Sequence, residues 1–180
     1  MERSSQALVF LSFVSQLIIL VHAQNTTLIT QICNQTPNNN LCVSTLNSDP
    51  NTLNANDTRD LAIIMVIHTN DMATKTQNHI VGLLRNRAIE GTMRQLLGKC
   101  YRMYFMITKD RLIETVNSLS AKNYALARDM MKDVQTSIDN CEGSFNEIVK
   151  SPISADNKAA SDLSLVAYAI VSYISNHNVT

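Results

Sequence analysis

Four cysteines, Cys33, Cys42, Cys100 and Cys141, are the residues of this 180-residue chain best suited to covalent chemistry. Their spacing argues against a zinc site, because the sequence has no Cys-x-x-Cys and no cysteine–histidine cluster. An even number of cysteines behind an apolar leader reads instead as a disulfide framework. One pair closes a loop of about ten residues and the other could close about forty, worth roughly 3 and 4 kcal/mol of unfolded-chain entropy. Of the three connectivities, pairing of neighbours (33–42 and 100–141) is favoured because the short pair is locally reachable. Buried free thiols are the alternative.

No other set of side chains has catalytic spacing. His68 and His79 lie eleven residues apart on one helix face, about 16 Å along the axis, too far to share one metal. Each reads as a surface or packing histidine, and His177 lies in the C-terminal tail. Asp129 and Asp133 stand one turn apart beside Arg128 and Lys132, the pattern of a solvated helix face. A nucleophile elbow, a glycine-rich phosphate loop and His-Glu-x-x-His are all missing from the sequence. The eight methionines fall mostly in helical stretches and read as core filling. The expectation is a binding protein that is not an enzyme, with no cofactor and no metal.

Those cysteines follow a segment with the marks of an export signal. Residues 1–23 carry a short charged start, an apolar run from Ala7 to Leu20 and the small-residue exit Val21-His22-Ala23. That run is shorter than the ~20 residues a membrane span needs, so cleavage after Ala23 is expected, with no membrane attachment afterwards. The remaining chain has fourteen basic and fourteen acidic residues. A zero net charge leaves no basic field for nucleic acid or an anionic membrane. Asn25, Asn34 and Asn56 open Asn-x-Thr sequons, as does the poorly placed Asn178. These glycosylation candidates fit a secretory route.

Only four glycines and three prolines interrupt the chain, too few for an all-β fold. Apolar residues recur at helical steps instead. Between 93 and 119 the set is Leu97, Tyr101, Phe105, Leu112, Val116 and Leu119, with one seven-residue gap. Between 122 and 146 it is Tyr124, Ala127, Met131, Val134, Ile138, Cys141 and Phe145. A third stripe, Leu61, Met65, Met72, Ile80 and Leu83, crosses Thr69 and Thr76, and a fourth runs from Ala159 through Leu163, Val166 and Ile170 to Ile174. Thr58, Ser120 and Ser154 suit the helix starts. Short links at 86–91, 118–122 and 146–153 favour an up-down-up-down four-helix bundle over 58–180. Residues 24–57, rich in Asn and Thr, read as a helical hairpin arm clipped by Cys33 and Cys42. Arm and bundle together make one all-α domain, 24–180.

Particular runs carry a resemblance. Ile32-Cys33-Asn34-Gln35-Thr36-Pro37, then Leu41-Cys42 and Leu46-Asn47-Ser48-Asp49-Pro50, resemble the opening of plant invertase/pectin methylesterase inhibitors. In that family a short Cys-to-Cys hairpin ends in Leu-x-Ser-Asp-Pro. Cys100-Tyr101-Arg102-Met103-Tyr104 resembles its Cys-x-x-x-Tyr, and Cys141 to Phe145 its Cys-x-x-x-Phe. The resemblance implies a four-helix bundle with an N-terminal hairpin, first–second and third–fourth disulfides, and occlusion of an enzyme's substrate cleft by a rigid surface. It implies a pectin methylesterase or an acid invertase (a β-fructofuranosidase) as partner, in the apoplast and cell wall or the vacuole.

Where invertase inhibitors of the family often carry Pro-Lys-Phe, this chain has Ala121-Lys122-Asn123-Tyr124; where pectin methylesterase inhibitors commonly have Thr, it has Asn140. The missing Pro-Lys-Phe tilts the expectation towards pectin methylesterase. By resemblance, contacts come from the second and third bundle helices, with Arg102, Lys109, Lys122, Asn123, Tyr124, Arg128, Lys132 and Asn140 as candidates. The rivals from other classes are a secreted signalling bundle, which the short links disfavour, and a lipid carrier, which needs a large internal cavity.

Overall fold

The computed structural model describes residues 26–145 and 149–177; the leader, Asn25 and Asn178 lie outside them. All regular structure among the described residues is helical. A short helix α1 (26–33) and α2 (Asn39–Ser48) form the arm, which ends in a 3-10 turn, Pro50–Asn54. Then come four long rods. The first is α3 (Thr58–Arg85), the third α6 (Tyr124–Gly143) and the fourth α7 (Ser154–His177). The second joins α4 (Gly91–Met106) to α5 (Leu112–Ser120) through one π-helical turn, Ile107–Arg111. Each rod packs on two neighbours, α3 and α6 both touching the α4–α5 rod and α7, and the arm lies on α3 and α7. This is the up-down-up-down bundle that the short links require.

The core runs down the bundle axis, and α6 enters it on the expected residues: Ala127, Met131, Val134, Ile138 and Cys141 are at most 1% exposed. The second rod keeps Leu97, Leu112 and Leu119 of the expected stripe in the core and departs from it between them. Cys100, Tyr104 and Ile107 are fully buried, while Tyr101 is half-buried and Phe105 is 42% exposed. Buried Thr108, Thr115 and Ser118 complete that inner face, and being polar they leave no hydropathy signal. On α3 the two threonines that blurred the stripe belong to the core. Thr69 and Thr76 donate their hydroxyls to the carbonyls of Met65 and Met72, which frees their methyl groups to pack.

Helix starts differ from expectation at two places. Asp57, not Thr58, caps α3, accepting from the Asp60 amide at 2.9 Å; Thr58 is buried instead. Asn123, not Ser120, caps α6, accepting from the Leu126 amide at 3.3 Å. In both cases the residue with extended or non-helical backbone, whose side chain can turn back on the helix, takes the role.

Both disulfides join sequence neighbours: Cys33–Cys42 with Cα atoms 5.5 Å apart and Cys100–Cys141 at 4.9 Å. Beside the second bond lies a buried polar chain. The Tyr104 hydroxyl donates to Asn157 Oδ1 at 2.7 Å, and Asn157 Nδ2 donates to Glu142 Oε2 at 2.5 Å. Glu142 also accepts from Ser151 and Ser154, which ties the end of α6 to the start of α7. Burial pushes the Tyr104 phenol far above its ordinary range, so it remains a neutral donor. The tyrosine of Cys-x-x-x-Tyr therefore joins three rods.

Candidate functional site

The turn between the second and third rods is the most constrained exposed feature on the candidate face. Lys122 is the one non-glycine residue with positive φ (+59°) among the described residues. Its amide donates to the Leu119 carbonyl and that of Asn123 to Ser118, the paired bonds of a Schellman ending. Asn123 then reverses role and caps α6. Three residues thus close one helix and open the next, and Lys122 and Asn123 stand exposed on a turn fixed by hydrogen bonds. Tyr124 does not join them. It is 8% exposed, on the inward stripe of α6, and its hydroxyl is buried without a partner. It is a core residue, which removes it from the surface candidates.

Side-chain bonds mark the seams and show where the other candidates point. Arg111 reaches Asp133 at 3.5 Å across the seam between the second and third rods. Gln135 bonds Ser161 and Ser164 across the seam between α6 and α7. Residues four and seven apart share a helix line, so Asp129, Asp133 and Asn140 follow the first seam. Arg128, seven before Gln135, and Lys132 turn towards α7. Arg128 is half-buried and spends its charge on Asp129 at 3.3 Å. Arg102 and Lys109 are exposed on the outer face of the second rod. The structure brings Lys122 and Asn123 together, and it divides the remaining candidate cations between the second rod (Arg102, Lys109) and the α7 side of α6 (Arg128, Lys132). The seam itself is acidic, lined by Asp110, Glu114, Asp129 and Asp133 around Arg111.

Sequence reasoning missed the apolar part of this surface. Phe105, Met106 and Ile113 on the second rod and Ile67 on α3 are 42–51% exposed. Between α3 and α5, Val66, Ile67, Leu112, Ile113 and Val116 line a groove of about 210 Å³. The seven-residue gap in the apolar stripe was the available signal, because it marks where the π turn resets the helix phase. Of the sequons, Asn34 and Asn56 are both exposed on the arm side; Asn34 accepts from Asn39, and Asn56 Nδ2 donates to the Asn54 carbonyl and to Asp60. Among the described residues no group of three or more His, Cys, Asp or Glu is placed to hold a metal ion, and no helix is long and apolar enough to cross a membrane.

The profile described as "Plant invertase/pectin methylesterase inhibitor" matches residues 27–170, from the arm to the last turns of the core. The chain belongs to this inhibitor family. Two Arabidopsis thaliana members are similar in sequence. "Cell wall / vacuolar inhibitor of fructosidase 1" is 35% identical over 77% of this chain and 64% of its own length. "Cell wall / vacuolar inhibitor of fructosidase 2" is 31% identical over 78% of this chain and 77% of its own. The chain thus spans just under two thirds of the first relative. Among solved structures, a mutant form of an Arabidopsis pectin methylesterase inhibitor superposes with a TM-score of 0.68 over 80% of this chain and 95% of the other, at 18% identity. A second Arabidopsis pectin methylesterase inhibitor gives 0.58 at 19% identity, over 80% and 93%. At those identities the likeness is one of fold. The plant invertase/pectin methylesterase inhibitor family acts by inhibition, not catalysis.

Proposed function

We propose that the chain is an exported inhibitor of a plant fructosidase, an acid invertase, and that it works by occluding the enzyme's substrate cleft. The observation that carries this choice of target is the split in identity: the relatives named for fructosidase inhibition share 31–35% of residues with this chain, the pectin methylesterase inhibitors 18–19%. Residues 1–23 are the export leader, and the compartment is the cell wall or the vacuole, the two places named for the relatives.

The docking surface comprises the Ala121–Asn123 turn and the adjoining faces of the second and third rods. Ala121-Lys122-Asn123 keeps a lysine in the region where the family's Pro-Lys-Phe lies and holds it on a hydrogen-bonded turn. Arg102 and Lys109 stand on the outer face of the second rod, and Asn140 continues the seam towards the other end of α6. A surface on stapled helices loses little freedom on binding, so its contacts are not offset by ordering costs. A pectin methylesterase target is the second reading, supported by the shared fold and by the missing Pro-Lys-Phe.

Stoichiometric titration of purified acid invertase and pectin methylesterase, side by side at acidic pH, tests both. Inhibition of invertase alone is expected, with Lys122→Ala weakening it. Inhibition of pectin methylesterase alone selects the second reading, and no effect on either enzyme sinks the inhibitor assignment for these targets.

A further inference from the structure

Charge is divided unevenly along this neutral chain. Between Arg85 and Lys109 stand six cations and one carboxylate, Glu90. Four of the six, Arg85, Arg87, Arg94 and Arg102, are arginines; Lys99 and Lys109 complete the set, and all six are exposed. The other described arginines are balanced: Arg59, Arg111 and Arg128 each reach an aspartate at 3.3–3.5 Å. Among the described residues none of the six makes such a pair.

Arg94 gathers these charges at one end of the bundle. It donates to the Leu84 and Ile89 carbonyls at 2.8 and 3.0 Å, which holds the start of α4 against the end of α3, beside Arg85 and Arg87. Both acceptors are neutral, so no carboxylate offsets the guanidinium. Along α4, Arg94, Gly98 and Arg102 share one helix line. A Cβ on Gly98 would meet Arg102 Nη1 at 4.0 Å, so the Arg102 guanidinium lies back over the glycine, towards Arg94. The helix dipole accounts for Arg85, in the last turn of α3. It does not account for Arg87, Lys99 and Arg102, which stand outside that turn. Like charges gathered without a partner work against the compact state through self-repulsion.

The shape and the charge of this surface point to one kind of partner. Its cations lie on open helix faces, Arg94 and Arg102 about 12 Å apart along the axis, which suits a long polyanion over a compact one. Guanidinium groups match planar carboxylates with two parallel hydrogen bonds. No large apolar side chain is exposed between Arg85 and Arg102, so the surface has nothing to bury in a bilayer.

We propose that the basic surface formed by the end of α3 and by α4 binds a linear polyuronate, a polysaccharide with a carboxylate on each sugar ring. Pectin stripped of its methyl esters is such a polymer. Only the compartment, the cell wall, is taken from the proposed function. The Lys122 turn closes the far end of the second rod, about 40 Å from Arg94. An inhibitor held to the wall by its basic end therefore keeps that turn free.

Retention of the full chain on immobilised polygalacturonate, with fully methyl-esterified pectin as the uncharged control, tests the assignment. The chain should bind polygalacturonate, elute with added salt and pass over the esterified polymer. Arg85→Gln, Arg87→Gln and Lys99→Gln combined, all outside the candidate docking set, should weaken binding at least tenfold with an unchanged urea midpoint. Lys132→Gln, Lys150→Gln and Lys158→Gln combined remove the same charge elsewhere and should leave binding within twofold of wild type. Wild-type retention of the first variant, equal loss in the second, or equal binding to the esterified polymer overturns the assignment. So does tighter binding to phosphatidylserine vesicles than to polygalacturonate, the mark of a membrane contact. No target enzyme enters the measurement, so loss of the inhibitor reading leaves the polyuronate site standing, and the reverse.

Discussion

Arm and bundle each contain one disulfide, and the same bond does different work in each. In the arm it links residues nine apart and secures a hairpin with few buried apolar side chains, Ile29, Ile32 and Leu46 chief among them. In the bundle it links residues 41 apart, joining the second and third rods inside a core already filled by Leu97, Tyr104, Met131 and Ile138. A local staple stands in for a core too small to hold by itself. A distant staple fixes which helices are neighbours and stiffens the surface that they present.

The sharpest way to break this contrast is to remove each bond in turn. Cys100→Ser with Cys141→Ser should cost about 4 kcal/mol by loop entropy. The loss should appear as a lower urea midpoint for the whole molecule and as weakened inhibition. Cys33→Ser with Cys42→Ser should cost about 3 kcal/mol, with fast amide exchange confined to the arm and inhibition retained. If the bundle loosens equally, the two regions are one cooperative unit and the contrast collapses.

Two tyrosines refine it. Tyr104→Phe should cost about 1–2 kcal/mol, because it strands the Asn157 acceptor. Tyr124→Phe removes a hydroxyl that has no partner and should be neutral within about 0.5 kcal/mol or slightly stabilising. Lys122→Gly should gain up to about 1 kcal/mol by relieving a left-handed backbone, and comparing it with Lys122→Ala separates the turn from its charge in inhibition assays.

The smallest effect lies at the acid end of the pH range. Partial burial opposes ionisation of Asp49, but bonds from the Asn51 amide and side chain and from His68 hold its carboxyl below its usual range. A carboxyl held below its unfolded value contributes stability above about pH 4, and that contribution fades as pH falls through the lowered native value. Asp49→Asn should therefore flatten the acid limb of arm stability and leave that of the bundle unchanged.

The fold was legible in the sequence where burial and hydropathy agree. On α6, where each inward position is apolar, the stripe and the core coincide. The second rod was less legible, because Thr108, Thr115 and Ser118 face inward while Phe105 and Ile113 face out. Hydropathy cannot register a threonine whose hydroxyl is satisfied by a carbonyl, as Thr115 is by Arg111. The candidate docking surface was legible only in part. Residue type suggested Lys122 and Asn123, but how the cations divide among faces depends on where the seams fall. Those seams are set by Arg111–Asp133 and Gln135–Ser161, contacts between residues 22 to 26 positions apart. The contacts of His68 with Asp49 and of His79 with Asp156 were hidden for the same reason: the aspartates stand 19 and 77 residues away.

The π turn at Ile107–Arg111 acts as a phase-setting dial in the second rod. A π turn holds one residue more than an α turn. Deleting one residue, Lys109 for instance, would restore an ordinary helix and rotate everything below it by about 100°. Ile113 would leave the surface, Arg111 would swing off Asp133, and the lysine turn would point elsewhere. The azimuth of half the candidate docking face thus hangs on a single surplus residue.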